Sequence, residues 1–299
     1  MGGSGTRRVR ARRGVLAVAL VAAAGVSMGA VPVRAAAGGP PGAGAFQIGL
    51  IGDTGYTPEA ERALLAVRRD MGRFPLAFVA HDGDTQAGGT PCTQARAEYV
   101  ENVFNGFAAP FVYAPGDNEW TDCPNGSAWD HLVALRRIFF PTNESLGRRH
   151  LTLERQHPTF VENARWAHNG VWFATLNVPG PNGDGPAASA NTAWLNGTFD
   201  RAQAAAAAGV MIIWQDDPFS DGSSKALVAT LKKRAAAFHK PVVLVHGDTH
   251  IHRLDHPWKD VPTFTRLETF ASAEATRWVR GFVDPASRQV FSFATETAR

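Results

Sequence analysis

From residue 46 onward, short apolar runs alternate with stretches whose apolar residues recur every three or four positions. The runs over 46–51, 76–80 and 111–114 are too short for helices and apolar at nearly every position, so they read as strands buried on both faces. Between them, 58–72 and 93–107 carry helical spacing. The alternation resumes with a helix over 192–208, a strand over 210–214, a helix over about 224–239 and a strand over 241–246. Such a pattern predicts βαβ units and a sheet covered on both sides. Residues 141–158 are expected to be irregular and 179–186 to form a loop. His168, Asn169 and Gly170 should turn a hairpin between 159–166 and 171–178. The last third, over 263–270, 278–283 and 289–293, suggests an antiparallel meander. No internal repeat or second linker interrupts 46–299, so one domain is expected there.

Charge changes the picture at the N-terminus. The formal charge is +3, but Arg7, Arg8, Arg10, Arg12, Arg13 and Arg34 lie in the first 35 residues, which hold no Asp or Glu. Without those six, 24 basic residues face 27 acidic ones, a net −3, and no broad basic surface for nucleic acid remains. The arginine cluster, the uncharged stretch 14–33 and small residues near Ala35 read as an export signal over 1–35. A Gly/Pro/Ala tether over 36–45 follows. Arg12 and Arg13 also resemble a twin-arginine signal. An uncleaved membrane anchor is the alternative, but Gly25, Ser27, Gly29 and Pro32 make the stretch a poor helix. In an oxidising compartment the two cysteines, Cys92 and Cys123, are expected to pair, adding roughly 3 kcal/mol. Two free thiols are the alternative.

The candidate chemistry lies where strands end. The expected strands run into Gly52-Asp53-Thr54-Gly55-Tyr56, His81-Asp82-Gly83-Asp84, Gly116-Asp117-Asn118-Glu119, Gln215-Asp216-Asp217 and His246-Gly247-Asp248-Thr249-His250-Ile251-His252. In an open α/β sheet the carboxyl ends of strands share one rim, so these segments can converge. Carboxylates gathered there repel each other unless a cation lies between them. Any one Gly-Asp pair is an ordinary turn former; five acidic segments at successive strand ends point to a site.

These ordered motifs resemble the signature of calcineurin-like metallophosphoesterases, in the GDxG form of purple acid phosphatases. The resemblance spans about 46–293 and implies an α/β fold: a four-layer α/β sandwich with two central mixed β-sheets flanked by helices. It implies one or two divalent metal ions. Asp53 would bind the first, Asp84 would bridge both, either Asp117 or Asn118 would bind the second, and Asp248 and His250 would fill the two histidine positions of the last motif. Several positions depart from the pattern. Gly55 and Ala87 stand where some members have a His or a Tyr ligand, Asn118 stands at a catalytic His, and Gln215 or Asp216 stands at a later His. This oxygen-rich set favours Mn²⁺, Mg²⁺ or Ca²⁺, with iron or zinc as alternatives. The implied reaction is hydrolysis of small phosphate esters, with Asn118, His250 and His252 as catalytic candidates and His81, His246 or Glu119 as further proton-donor candidates; for His81, His246, His252 and Glu119 a purely structural role beside the site is the other reading. Arg253 could neutralise a phosphate. The expected protein is an exported monomer with no membrane contact beyond its signal. A non-catalytic metal-binding or interaction protein on the same fold is the main alternative. A carboxylate-pair glycosidase is a weaker one, since it leaves the His-Gly-Asp-Thr-His segment unexplained.

Overall fold

The computed structural model describes residues 44–180, 186–220 and 224–299. The expected leader, residues 36–43 of the tether and residues 181–185 of the expected loop lie outside the described residues. The chain enters at β1 (Phe46–Ile51) and crosses through α1 (Pro58–Met71) to β2 (Leu76–His81). It then passes through α2 (Gln94–Asn105) to β3 (Phe111–Tyr113) and on to α3 (Ala128–Phe139). The side chains of Thr57, Thr93 and Ser127 accept from the N–H three residues on, at 3.2, 3.1 and 3.1 Å. Such caps contribute about 1 kcal/mol each and fix where the helices begin. Helix α3 was not anticipated, although Ser127 with Asp130 marks its start and Leu132, Leu135 and Phe139 are buried at helical spacing.

The second half follows the expected alternation closely. It runs through β4 (Glu154–Gln156), β5 (Phe160–His168), β6 (Val171–Thr175), α4 (Pro186–Ala204), β7 (Gly209–Ile213), α5 (Lys225–Phe238) and β8 (Val242–His246). The tail adds β9 (Arg253–Asp255), β10 (Phe264–Glu268), β11 (Arg277–Val283) and β12 (Phe291–Thr297). Asn169 and Gly170 turn the β5–β6 hairpin with φ of 44° and 79°. Two expectations change. Residues 141–158 are not wholly irregular, because β4 pairs with β5 and isolated bridges join Phe111 to Leu146 and Glu144 to Thr152. The last three apolar runs are not one meander. β10 pairs in parallel with β8, whereas β11 pairs antiparallel with β1 and β12. Strand periodicity shows that a segment is a strand but not which neighbour it meets.

Among the described residues the strands form two mixed sheets, in the orders β12-β11-β1-β2-β3 and β4-β5-β6-β7-β8-β10-β9. Alternation decides which side each residue covers. Ile48, Leu50, Phe78 and Val112 of the first sheet meet Phe173, Met211, Ile213, Val245 and Leu267 of the second in a shared core. On the outer face of the first sheet, Ile51 and Val79 pack against Leu64, Val103 and Phe139 from α1, α2 and α3. On the outer face of the second, Ile212 and Leu244 pack against Leu195, Phe199 and Leu231 from α4 and α5. The result is the four-layer α/β sandwich that the motifs implied. Cys92 and Cys123 form a disulfide with a Cα–Cα distance of 5.5 Å, tying the loop after β2 to the loop after β3. No helix among the described residues is long and apolar enough to cross a membrane.

Phe173 is fully buried between the sheets, edge-on to Phe78 at 4.9 Å and stacked on Trp166 at 5.4 Å. Phe173→Ala is expected to lower unfolding free energy by about 3–5 kcal/mol. Leu254→Ala, at a side chain 50% exposed, should change it by about 0.5 kcal/mol or less. Urea unfolding of both variants checks this.

Candidate metal centre

The loops after β1, β2, β3, β7 and β8 meet because glycine lets their backbones approach. A Cβ on Gly116 would lie 1.9 Å from Asp84 Oδ1, one on Gly247 2.2 Å from Asp53 Oδ2, and one on Gly83 2.7 Å from the Gln215 side chain. Nothing larger than hydrogen fits at these three positions. Asp53, Asp84, Asp248 and His250 also take left-handed backbone, with φ of 47°, 60°, 79° and 63°. Four non-glycine residues are thus held in a sparsely populated backbone region at these strand ends. The first two loops are stitched by Asp53 N–H donating to Gly83 O (2.9 Å) and Thr54 N–H to Asp84 O (2.8 Å).

The expected ligands largely converge. The backbone N–H of Asp248 donates to Asp53 Oδ2 at 3.2 Å, and His250 Nε2 lies 3.4 Å from Asp53 Oδ1. The Gln215 amide donates to Asp84 Oδ2 at 3.2 Å and approaches Asp248 Oδ1 at 3.4 Å, so Gln215 reaches two of the expected ligand carboxylates. Asn118 turns its amide nitrogen to Asp84 Oδ2 (2.6 Å) and to the Gln86 carbonyl (2.9 Å), which makes it a donor to the carboxylate as it stands. Tyr56, to which sequence reasoning assigned no role, places its hydroxyl 2.9 Å from Asp53 Oδ1 and 3.1 Å from Asp84 Oδ2. Among the described residues no three His, Cys, Asp or Glu side chains alone are grouped to hold an ion. Hydroxyl and amide donors stand between the carboxylates instead.

The remaining candidates lie outside this cluster. His81 is fully buried, accepting from Gly83 N–H at Nδ1 (3.1 Å) and facing Thr54 Oγ1 at 2.8 Å; burial pushes it down to about 3. His246 is buried beside the Gly247 carbonyl and is pushed down to about 4 by burial. Both are neutral struts near pH 7, not proton donors. His252 bonds the Glu268 carbonyl at 2.7 Å and stacks on Phe270 at 3.9 Å. Glu119 accepts from the backbone N–H groups of Gly116 (2.7 Å), Asp84 (3.2 Å) and Thr85, so its carboxylate clamps two motif loops together. Arg253 is held by buried Glu268 at 2.6 Å and by Thr249 Oγ1 at 2.9 Å. Arg96 was also missed; it donates to the carbonyls of Gly55 and Thr85 and pairs with Glu61.

Electrostatics fit a cation. Burial first, then the charges of Glu119, Asp53 and Asp117, hold Asp84 well above the carboxylate range. Burial and the charges of Asp122 and Asp248 push Asp117 up to about 6, and burial with Asp248 and Asp217 pushes Asp216 up to about 7. Burial also raises Asp248. These acids share a desolvation cost and a mutual repulsion that one or two positive ions would relieve. The donor set, mostly oxygen with one imidazole, suits hard ions.

No family model matches the chain, and no curated protein does. Among solved structures, a dimetal phosphatase from Danio rerio is similar at 9% identity and a TM-score of 0.56, over 85% of this chain and 99% of that one. GAP50, described as the anchor in the inner membrane complex of Plasmodium, is similar at 10% identity and a TM-score of 0.51, over 86% and 90%. The 5'-nucleotidase from Candida albicans is similar at 10% identity and a TM-score of 0.53, over 85% of this chain and 51% of that one. At these identities the likeness is one of fold: the chain shares the fold of the dimetal phosphatase and of the 5'-nucleotidase.

Two outcomes are expected. Glu119→Gln leaves an amide where three backbone N–H groups need an acceptor, and should cost about 1–3 kcal/mol in urea unfolding. In metal-free protein Asp117 and Asp216 titrate above their unfolded values, so the folded state binds more protons than the unfolded one as pH rises from about 4 to about 7. Stability contributed by these groups therefore falls over that range. Asp216→Asn should flatten the slope, read from thermal midpoints against pH.

Proposed function

We propose that this protein is an exported, metal-dependent phosphoesterase acting on small phosphate mono- or diesters. The observation that carries the reading is the meeting of Asp53, Asp84, Asp248 and His250 from three strand ends on a calcineurin-like fold. Asp53, Asp84 and His250 would hold a first ion, and Asp84, Asp117 and Asp248 a second. Mn²⁺, Mg²⁺ or Ca²⁺ suits these oxygens best. Such ions, when bound, polarise phosphoryl oxygens and supply a water acidic enough to attack at neutral pH. The protein's own part is orientation: Asn118 and Gln215 fix the Asp84 carboxylate, and the Glu119 clamp keeps its loop from shifting. His250 is half exposed and within 3.4 Å of Asp53 Oδ1, which supports it as the imidazole that would meet a substrate. Export accords with the leader and with the disulfide.

One observation favours a second reading. Neutral donors, Tyr56, Asn118 and Gln215, already occupy Asp84 Oδ2, so the fold could persist without ions as a binding module; GAP50 is described as an anchor.

Mature protein assayed on aryl phosphate mono- and diesters with added Mn²⁺, Mg²⁺, Ca²⁺ or Zn²⁺ should turn over in a metal-dependent way. Asp84→Asn and His250→Ala should each lower kcat/KM by about 100-fold or more. Stoichiometric metal without turnover on any ester would support the binding module instead.

A further inference from the structure

We infer that Gln86 is a positioning residue that aims the Asn118 amide at Asp84, and that the Cys92–Cys123 disulfide keeps Gln86 in place, so that reducing the disulfide lowers turnover at the site. The inference deepens the phosphoesterase reading above and rests on it. Gln86 and Asn118 clasp each other from both sides. Asn118 Nδ2 donates to the Gln86 carbonyl at 2.9 Å, and Gln86 Nε2 donates to the Asn118 carbonyl at 2.9 Å. The Asn118 amide has two protons; one goes to Gln86 and the other to Asp84 Oδ2 at 2.6 Å. The clasp therefore sets the direction of the proton that Asp84 receives. Gln86 and Asn118 are 5% and 7% exposed, so solvent offers little alternative to these bonds.

The disulfide lies against the same pair. Cys92 Sγ is 3.3 Å from Gln86 Nε2 and 3.4 Å from the Asn118 carbonyl oxygen. A disulfide sulfur carries no proton, so it accepts from Gln86 and only packs on the carbonyl, leaving that oxygen to Gln86. The other end is tied as closely. Cys123 follows a turn in which the Asp117 carbonyl accepts from the N–H groups of Trp120, Thr121 and Asp122 at 3.0, 2.9 and 3.1 Å. The bond thus joins the Gln86 loop to the turn that carries the third motif. Reduction changes both ends. A dithiol supplies two electrons and two protons and leaves as a cyclic disulfide, while Cys92 and Cys123 become thiols. The sulfurs must then part, and the Cys92 thiol becomes a donor beside the Asn118 carbonyl, in competition with Gln86. Asn125 still holds the Cys92 backbone, accepting from its N–H at 2.8 Å and donating to its carbonyl at 2.9 Å. The loop therefore stays folded and the change falls on the two amides.

In the test, metal-stripped protein is reduced with dithiothreitol, desalted without air, checked for free thiols with a thiol-reactive dye, and reloaded with Mn²⁺ for assay on an aryl phosphate ester. Reduction should lower kcat about tenfold or more, change KM by less than about twofold, leave circular dichroism unchanged at the assay temperature, and reverse on reoxidation. Gln86→Met, close in size but unable to donate, should show the same loss when oxidised and no further loss when reduced. Gln86→Glu, which keeps the shape and lacks the donor, takes its place if Gln86→Met does not fold. An unchanged kcat in reduced wild type would overturn the inference, as would independent losses from reduction and from the substitution. If oxidised wild type turns over no ester with any metal, the function falls, and the positioning is read from Mn²⁺ affinity by calorimetry. There, non-additive weakening by reduction and by the substitution upholds it; additive or absent weakening sinks it.

Discussion

Burying carboxylates beside one another is the constraint to which much of this structure answers. Asp53, Asp82 and Asp84 are each 3% exposed or less, and among the described residues none is paired with a Lys or Arg. Two responses are built into the chain. Glycines at 83, 116 and 247 remove the bulk that would keep the loops apart, and neutral donors, Tyr56, Asn118 and Gln215, converge on one oxygen of Asp84. Uncompensated, such a cluster is costly to the folded state.

Support for this cluster comes from residues that touch no expected ligand side chain. The Glu119 carboxylate gathers N–H groups from two loops, Arg96 ties the first two motif loops to α1, and His81 braces Thr54. Each restrains backbone, and backbone carries the aspartates. Two sheets that share an apolar core then set the distance between the β1, β2 and β3 ends and the β7 and β8 ends.

Much of the fold was legible in the sequence because buried strands and amphipathic helices leave periodic traces. The 58–72 and 224–239 expectations end within two residues of α1 and α5. Pairing was less legible: nothing local to 263–270 says that β10 joins β8 and not β11, since partner choice depends on residues far away. Within the site, aspartates after glycines at strand ends were visible, because turn chemistry and acid recur together. Tyr56 was not, since a single tyrosine has no period and its role exists only once Asp84 and His250 arrive from distant segments. Glu119 and His81 were visible, as proton donors or as structural groups, and the structure gives them bracing contacts; spacing shows that an acid or imidazole is near the rim and cannot show which way it faces.

The Cys92–Cys123 bond sits on the outside of this arrangement, in loops already held by Asn125, whose side chain both accepts from the Cys92 N–H and donates to the Cys92 carbonyl at 2.8 and 2.9 Å. Both cysteines are only half-buried. The thiols are thus brought together by the folded loops and remain within reach of an oxidant, so the crosslink can form after folding is finished. Oxidation then fastens the second and third motif loops in the register the fold has already chosen.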